Sequence, residues 1–221
     1  MDQDDLQREL IWRDGVPVSR RFEDPYFSLR DGLEETRHVF LKGNQLPARF
    51  VDGFHVAELG FGTGLNALAT LEAWCSDGSF QFTSFEAYPI SADDMEAALS
   101  RWPSLQVGAL VDNWRNGAQR FQIGAMHLEV IVGDVQDTLK DWDRRADAWF
   151  LDGFAPARNE AMWTERVLAE VARHTNEGGT FATYTAASAV RQRLEEAGFT
   201  VRRLKGFGHK RHMSAGVYAA G

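Results

Sequence analysis

Four acidic residues stand at the ends of four apolar segments in this 221-residue chain: Glu58, Glu86, Asp134 and Asp152. Each apolar segment predicts a buried strand. The carboxyl ends of parallel strands meet at one edge of an open α/β sheet, where such sheets bind their ligands. Taken singly, each acid is equally typical of a helix cap or a solvated loop. Four in succession predict one crevice lined by carboxylates.

The first of these segments leads into a glycine-rich turn. Residues 56–68 read V-A-E-L-G-F-G-T-G-L-N-A-L, which places Gly60, Gly62 and Gly64 between a predicted strand and a predicted helix. Glycine permits a sharp turn and lets a ligand approach bare backbone. The spacing is not the G-x-G-x-x-G of dinucleotide-binding folds, and no G-K-[ST] of a phosphate-binding loop is present.

The pattern E-x-G-x-G-x-G looks like the S-adenosylmethionine loop of class I methyltransferases, in which Glu58 would face the ammonium group of the ligand. A glycine-rich turn of some other α/β protein is the alternative. The spacing of the next acid favours a nucleoside-type ligand, because Glu86 follows Gly64 by 22 residues. An acid about 20 residues after the glycine loop is where a ribose diol is held. Asp134, after the third strand, would lie beside the adenine amine.

Composition restricts the class of protein. A hydrophobic content of 44% suits one α/β domain with a proper core. The single cysteine, Cys75, excludes an internal disulfide and indicates a reducing, cytoplasmic compartment. The acidic, polar beginning predicts no secretory signal, and no apolar run is long enough to span a membrane. The six histidines lack metal-ligand spacing, so no metal site is expected.

The remaining elements must position the crevice. Residues 1–50 predict an N-terminal extension, with a hairpin turning at 14–15, a short helix over 32–41 and a turn over 42–47. Asn44 and Gln45 in that turn either line a pocket or are simply solvated. Residues 91–120 predict a small helical insertion, whose Trp102 and Trp114 either cover the cofactor side or only pack.

The carboxyl-terminal half continues the alternation of strands and helices. The pattern predicts a helix over 162–174 closed by glycines 178 and 179, a strand over 180–185, a helix over 187–197, and an antiparallel pair over 199–205 and 213–219. The expected fold is a single class I methyltransferase domain over residues 1–221. Its Rossmann-like α/β sheet carries helices on both faces and ends in an antiparallel hairpin.

Several longer motifs resemble one family. They are V-P-V-S-R at 16–20, G-L-E-E-T-R at 32–37, V-F-L at 39–41, G-N-Q-L at 43–46, the loop at 60–66, D-A-W-F-L-D-G-F-A-P-A at 147–157, G-G-T-F-A-T at 178–183 and K-G-F-G-x-K-R at 205–211. The chain resembles, over nearly its whole length, the methyltransferase domain of the MnmC proteins of tRNA 5-methylaminomethyl-2-thiouridine biosynthesis.

The resemblance implies that S-adenosylmethionine methylates the 5-aminomethyl group of a wobble uridine, or 2-thiouridine, in tRNA. It adds Asn66 and Asp152 to the cofactor-binding residues, and Asn44 and Gln45 to the substrate side. The best-known family member also carries a flavin-dependent oxidoreductase domain, which removes a carboxymethyl group to expose the amine. That domain is not expected in this chain, so a separate oxidoreductase would supply the amine.

Within this reading Asp152 is the candidate catalytic residue. An ordinary aspartate, with a pKa of about 3.9, is a weak base for an ammonium group, so we expect Asp152 mainly to accept a hydrogen bond and orient the amine. Phe154 would stack on the uracil. A small-molecule methyltransferase or a non-catalytic nucleotide-binding subunit is the alternative, favoured by the net charge of −8.

A tRNA substrate requires a basic surface. Residues 202–211 contain five basic residues and no acid: Arg202, Arg203, Lys205, Lys210 and Arg211. Lys205, Lys210 and Arg211 are therefore candidate tRNA contacts. Charged residues on a sheet edge also prevent aggregation, so a solvated edge is the alternative.

Overall fold

The computed structural model describes residues 10–219, which form an α/β fold. The strands are β1 (Leu10–Arg13), β2 (Val16–Ser19), β3 (Asp24–Pro25), β4 (His55–Leu59), β5 (Phe80–Glu86), β6 (Arg120–Ile123), β7 (Met126–Val132), β8 (Ala146–Leu151), β9 (Thr175–Thr183), β10 (Phe199–Lys205) and β11 (His212–Tyr218). The α-helices are α1 (Gly32–Thr36), α2 (Leu65–Ala73), α3 (Ala92–Leu99), α4 (Val107–Arg115), α5 (Val135–Thr138), α6 (Glu165–Arg173) and α7 (Ser188–Glu196).

Eight of the strands form one sheet in the order β10-β11-β9-β8-β4-β5-β7-β6. Strands β9, β8, β4, β5 and β7 run parallel, while β11 and β6 are antiparallel to their neighbours. The first strand of the parallel set, β4, lies in the middle, so the chain reverses its winding direction there. Ligands of open α/β sheets bind at such a reversal point. The predicted fold class is confirmed.

Apolar side chains cover both faces of the sheet. Adjacent residues of a strand point to opposite faces, and on β8 Trp149 belongs to one core cluster while Phe150 belongs to the other. On β5, Phe82 and Phe85 are divided in the same way. Burial on both faces explains why these strands read as nearly continuous apolar runs.

The N-terminal extension forms a separate three-stranded sheet, β1-β2-β3. Asp14 and Gly15 turn between β1 and β2 with φ angles of 50° and 73°, as the hairpin prediction requires. Asp31 caps α1 by accepting from the Glu34 N–H, and a wider helical turn, Arg37–Leu41, continues it. The predicted helix over 32–41 is confirmed.

The boundaries of α6 differ from the prediction. The helix is preceded by a 3-10 turn, Glu160–Trp163, and begins where the Thr164 side chain accepts from the Val167 N–H. Gly178 and Gly179 lie inside β9, beyond the helix end. The register between β8 and β9 shifts at these glycines: Ala146 pairs with Thr175, whereas Ala148 pairs with Thr180. Gly178 has φ +73°, and the glycines accommodate the bulge that results.

Asn44 fastens the extension to the sheet. Its Nδ2 donates to the carbonyls of Phe40 at 2.9 Å and Trp149 at 3.2 Å, and its Oδ1 accepts from the Thr180 hydroxyl at 2.6 Å. Asn44 is fully buried by these contacts. Gln45 is exposed, with φ 59°. Neither residue lines the cavity described below, so the pocket alternative does not hold: Asn44 is buried by structural bonds, and Gln45 is exposed outside the lining.

We predict that Asn44→Ala lowers the free energy of unfolding by about 2–4 kcal/mol, because a buried hydroxyl and two carbonyls lose their partner. Gln45→Asn is the matched control, since asparagine tolerates a left-handed backbone and Gln45 is exposed. Its effect should stay within about 0.5 kcal/mol. Urea titration of both variants measures the difference. Equal stabilities for Asn44→Ala and the control would contradict the fastening role.

Candidate functional site

A cavity of about 780 Å³ opens at the carboxyl edge of the parallel strands. Its lining comes from the glycine loop (60–63, 65 and 66), the carboxyl ends of β5, β7 and β8 with the residues that follow them (85–88, 133–135 and 152–155), a segment that we call the strap (residues 22–30), and the turn between β10 and β11 (207–210). Single residues elsewhere, among them Glu35, Met162 and Tyr184, complete the lining. The strap belongs to the N-terminal extension, so the extension closes one side of the cavity.

Two of the three loop glycines shape the cavity wall. A Cβ on Gly60 would lie 2.3 Å from the carbonyl oxygen of Asp152, so only glycine lets these two strand ends approach. Gly62, with φ +54°, faces the cavity with bare backbone. Gly64 does not line the cavity. It begins α2 with φ +78°, and a Cβ there would lie 2.7 Å from Leu110. In this structure it serves helix packing, and its predicted contact with the cofactor stays a prediction.

Glu86 lies at the end of β5 and lines the cavity. Its Oε2 accepts from the Gly62 N–H at 2.9 Å and its Oε1 from the Tyr88 N–H at 2.7 Å. Burial raises its pKa, against the opposing effect of these backbone N–H groups. An ionised carboxylate has about four acceptor positions, so further hydroxyl donors can be accommodated. Glu86 thereby couples the glycine loop to β5.

Asn66 joins two of the four acids. Its Nδ2 donates to Glu58 Oε1 at 2.8 Å and to Asp152 Oδ2 at 2.7 Å, while its Oδ1 accepts from the Thr36 hydroxyl at 2.7 Å. The other oxygen of Glu58 accepts from the Ser84 hydroxyl at 2.7 Å. Asn66 and Asp152 line the cavity.

The expectation that Glu58 faces the ligand's ammonium is wrong. The side chain is fully buried, lies outside the cavity lining, and is separated from it by Asn66. Burial raises its pKa well above the ordinary value, which disfavours the charged form. Its position supports Asn66, and Asn66 reaches the cavity in its place.

Asp152 departs from an ordinary aspartate. Burial raises its pKa to about 7; the hydrogen bond from Asn66 and the charge of Lys210 oppose the rise, whereas Glu35 and Asp24 add to it. Both protonation states are therefore populated near neutral pH. The expectation of a weak base with an unshifted pKa does not hold, because the residues that bury the carboxyl group come from distant parts of the sequence.

Asp134 begins α5 and lines the cavity. Its Oδ1 accepts from the Gln136 N–H at 2.9 Å. The alternative of a helix cap is thus confirmed. The second oxygen remains for the predicted contact with an adenine amine, which stays a prediction.

Aromatic rings form one wall of the cavity. Phe154 lines it, as expected, and stacks on Phe22 of the strap with centroids 4.7 Å apart. Tyr26 meets Phe154 edge-on at 5.2 Å, and Tyr88 meets Phe22 at 5.7 Å. The sequence analysis missed the two strap residues, because the strap has no helical or strand periodicity. The concentration of aromatic residues in 22–27 was the available signal.

Polar contacts fasten the strap across the cavity. Asp24 Oδ2 accepts from the Ala155 N–H at 2.9 Å, directly after the loop that carries Asp152. Glu35 Oε2 accepts from the Ser28 N–H at 3.0 Å. Asp24 and Glu35 both line the cavity, and sequence reasoning assigned neither of them a role.

The basic candidates separate into two groups. Lys210 lines the cavity, where its Nζ lies 3.0 Å from Glu35 Oε1 and 3.9 Å from the ring centre of Tyr184. Lys205 and Arg211 are exposed and lie outside the lining. Arg30 and His209 add cationic or titratable groups to the lining.

The helical insertion does not line the cavity. Trp102 packs edge-on against Phe27, and Trp114 donates from Nε1 to the Ile90 carbonyl at 2.9 Å. The packing alternative is confirmed for both tryptophans. Across residues 10–219, no helix is long and apolar enough to cross a membrane, and no group of three acidic, histidine or cysteine side chains is arranged to hold a metal ion.

Comparison with known proteins shows which family this chain resembles. Residues 103–219 match the model of a family described as S-adenosyl-L-methionine-dependent methyltransferase. Proteins named tRNA 5-methylaminomethyl-2-thiouridine biosynthesis bifunctional protein MnmC are similar: the one from Marinobacter nauticus is 44% identical over 94% of this chain, and the one from Chromobacterium violaceum is 45% identical over 96%. The chain spans about a third of their length, 36% and 34%.

The fold has a solved counterpart, MNMC2 from Aquifex aeolicus, with a TM-score of 0.72, 21% identity, and coverage of 93% of this chain and 68% of that one. The sequence resemblance to the MnmC methyltransferase domain is confirmed. With the glycine loop and the carboxylate-lined cavity, the family match shows that this chain belongs to the S-adenosyl-L-methionine-dependent methyltransferases.

Proposed function

We propose that the chain transfers a methyl group to the primary amine of a 5-aminomethyl group on the wobble uridine of tRNA, giving 5-methylaminomethyl(-2-thio)uridine. One observation carries the substrate assignment. The similarity to proteins named for tRNA 5-methylaminomethyl-2-thiouridine biosynthesis extends over 91–96% of this chain at 42–46% identity.

S-adenosylmethionine, the cofactor of this family, supplies an electrophilic methyl group on a sulfonium when bound. The residues present fit it. Gly60 and Gly62 leave a cradle that side chains would fill, Glu86 offers acceptors for a ribose diol, and Asp134 offers one for an adenine amine. Asn66 and Asp152, near the loop, would receive the ammonium end of the ligand that Glu58 does not reach.

Asp152 would act as the proton acceptor that an amine nucleophile needs. An alkylamine is mostly protonated at neutral pH and has no lone pair to attack with. Because the pKa of Asp152 is about 7, its anionic form accepts the ammonium proton more readily than an ordinary aspartate would. The freed amine could then accept the methyl group that bound S-adenosylmethionine would supply, and Asp152 would pass the proton on to solvent.

The aromatic wall suits a base. Phe154 would stack on the uracil, which contributes about 1–3 kcal/mol. Phe22 occupies the face of Phe154 at present, with their centroids 4.7 Å apart, so the uracil would replace that ring. Exclusion of water by the wall would strengthen the interaction between Asp152 and the amine.

The exposed basic residues provide the surface for the tRNA backbone. Strand β10 runs parallel to β9, so its carboxyl end with Lys205 points to the same edge of the sheet as the cavity. Arg202, Arg203 and Arg211 are exposed beside it. On a chain of net charge −8, a basic surface next to the cavity supports an anionic substrate.

The amine must come from an oxidative step, since the aminomethyl group is exposed by removal of a carboxymethyl group in the family. We propose that an oxidoreductase activity supplies it; the relatives are named bifunctional. A tRNA substrate would place the reaction in the cytoplasm.

A small-molecule methyltransferase is the second candidate, since an amino pentose methyltransferase shares the fold with a TM-score of 0.52.

We predict that bulk tRNA lacking the wobble methyl accepts labelled methyl groups from S-adenosylmethionine when this protein is added. The label should appear in 5-methylaminomethyl nucleosides after digestion. Acetylating the primary amines of the tRNA beforehand is the control, and should abolish incorporation, because an amide nitrogen is not a nucleophile. Incorporation that survives acetylation, or none at all, contradicts the proposed substrate.

We predict that Glu86→Ala lowers S-adenosylmethionine affinity by about tenfold to a hundredfold, since hydrogen bonds to an ionised acid contribute roughly 1.5–3 kcal/mol. Calorimetric titration measures the affinity, with thermal unfolding run in parallel. Glu72→Ala, on the solvent side of α2, is the matched control and should bind normally. An unchanged dissociation constant in Glu86→Ala would remove Glu86 from the cofactor site.

We predict that Asp152→Asn lowers methyl transfer at pH 7 by about 10²–10⁴-fold, a typical value for an acid–base group. In the wild type, kcat/KM should rise with pH and level off above about 7, where Asp152 is anionic. In the variant, kcat/KM should keep rising with pH until the pH reaches the pKa of the amine. Asp143→Asn, an exposed control, should retain the wild-type profile. A wild-type profile in Asp152→Asn refutes the role.

A further inference from the structure

Lys210 carries an ammonium group into the cavity, although it belongs to the exposed turn after β10. Its Nζ lies 3.0 Å from Glu35 Oε1 and 3.9 Å from the ring centre of Tyr184. The hydroxyl of Tyr184 in turn donates to the Gly153 carbonyl at 2.8 Å, next to Asp152. The ammonium is thus fixed by α1 on one side and by the residues after β9 on the other.

Glu35, the partner of Lys210, is itself held in place by a second hydrogen bond. Its side chain is only 12% exposed, and its second oxygen accepts from the Ser28 N–H at 3.0 Å. Both carboxylate oxygens are therefore occupied, one by the strap and one by Lys210. An ion pair whose lysine is half exposed contributes little to stability. The ion pair matters because it holds the positive charge of Lys210 inside the cavity.

Charged and titratable groups surround Asp152 from several elements. Carboxyl groups come from Glu35 on α1, Asp24 on β3 and Glu58 on β4; the phenol of Tyr184 follows β9. Asn66 on α2 donates a hydrogen bond. Lys210 brings an opposing positive charge, and its turn also places His209 in the cavity lining, as the strap places Arg30.

The carboxylates of Glu35 and Asp24 favour the protonated form of Asp152, and the ammonium of Lys210 favours the anionic form. We infer that Lys210 is a positioning residue: Glu35 and the Tyr184 ring hold its ammonium in the cavity that Asp152 also lines, where its positive charge favours a carboxylate that can receive the proton of the attacking amine. Lys210 touches no reacting atom in this role. The inference rests on the proposed function, because methylation of an amine is the step that needs a proton acceptor.

The test uses two variants that break the same ion pair with opposite electrostatic consequences. Lys210→Met removes the positive charge, and Glu35→Gln removes the negative charge while keeping an acceptor oxygen for Lys210. Carbon-13 NMR titration of carboxyl-labelled protein, without tRNA, measures the pKa of Asp152, whose signal is assigned from the Asp152→Asn spectrum. The pKa should rise in Lys210→Met and fall in Glu35→Gln, each by on the order of half a unit to one unit.

Two further variants serve as controls. Lys210→Arg keeps the charge and should leave the pKa of Asp152 near the wild-type value. Lys42→Met removes an exposed lysine outside the cavity lining and should not change it. In turnover, Lys210→Met should lower kcat/KM at pH 6 by about threefold to tenfold, because a higher pKa leaves less Asp152 in the anionic form. Above pH 8 the variant should recover, since Asp152 is then mostly anionic in both proteins.

An unchanged pKa of Asp152 in Lys210→Met overturns the inference. Shifts of the same sign in Lys210→Met and Glu35→Gln also overturn it, because they would show that the ion pair acts by holding the local structure and not by its charges. Weaker tRNA binding by Lys210→Met with an unchanged pKa also overturns it and marks Lys210 as a phosphate contact. The titration involves no tRNA, so its result stands apart from the labelling test of the proposed function.

Discussion

The site depends on one side-chain amide. Asn66 donates its two N–H groups to two carboxyl groups, Glu58 and Asp152, and accepts from Thr36 with its oxygen. A buried carboxyl group is costly unless it is hydrogen-bonded, and here one amide satisfies two. Because Asn66 sits in the first turn of α2, directly after the glycine loop, the loop, the helix and the ends of β4 and β8 are held in one arrangement.

The same amide couples the N-terminal extension to the chemistry. Thr36 lies on α1, one residue after Glu35, so a single short helix supplies both the donor for Asn66 and the partner for Lys210. Asn44 then fastens the continuation of that helix to the sheet. A sheet of this kind provides a cofactor site by itself. The extension adds the strap and Glu35 to the lining of the cavity.

Much of this arrangement could be predicted from the sequence, since strand ends follow from apolar runs and glycine turns. Glu86, Asp134 and Asp152 were placed at the cavity in this way. The direction of a side chain at a strand end was not predictable, and Glu58, one residue before the end of β4, turns into the protein. The contacts of Asn44 and Lys210 were not predictable for a related reason: their partners lie more than a hundred residues away in sequence, as with Asn44 and Trp149 or Lys210 and Glu35.

The proton affinity of Asp152 also follows from long-range packing. Burial is the first cause of its raised pKa, and the strap that contributes to this burial is fastened at Asp24 and Glu35, the two carboxylates that raise the pKa further. The strap therefore brings the Asp24 carboxylate to the side of the cavity where Asp152 lies, and Glu35 adds a second negative charge there. Without an opposing charge, both effects would raise the pKa of Asp152 further and leave less of its anionic form at neutral pH. A cation brought by a neighbouring turn, with a hydrogen bond from Asn66, holds the carboxyl group near the midpoint of its titration at neutral pH.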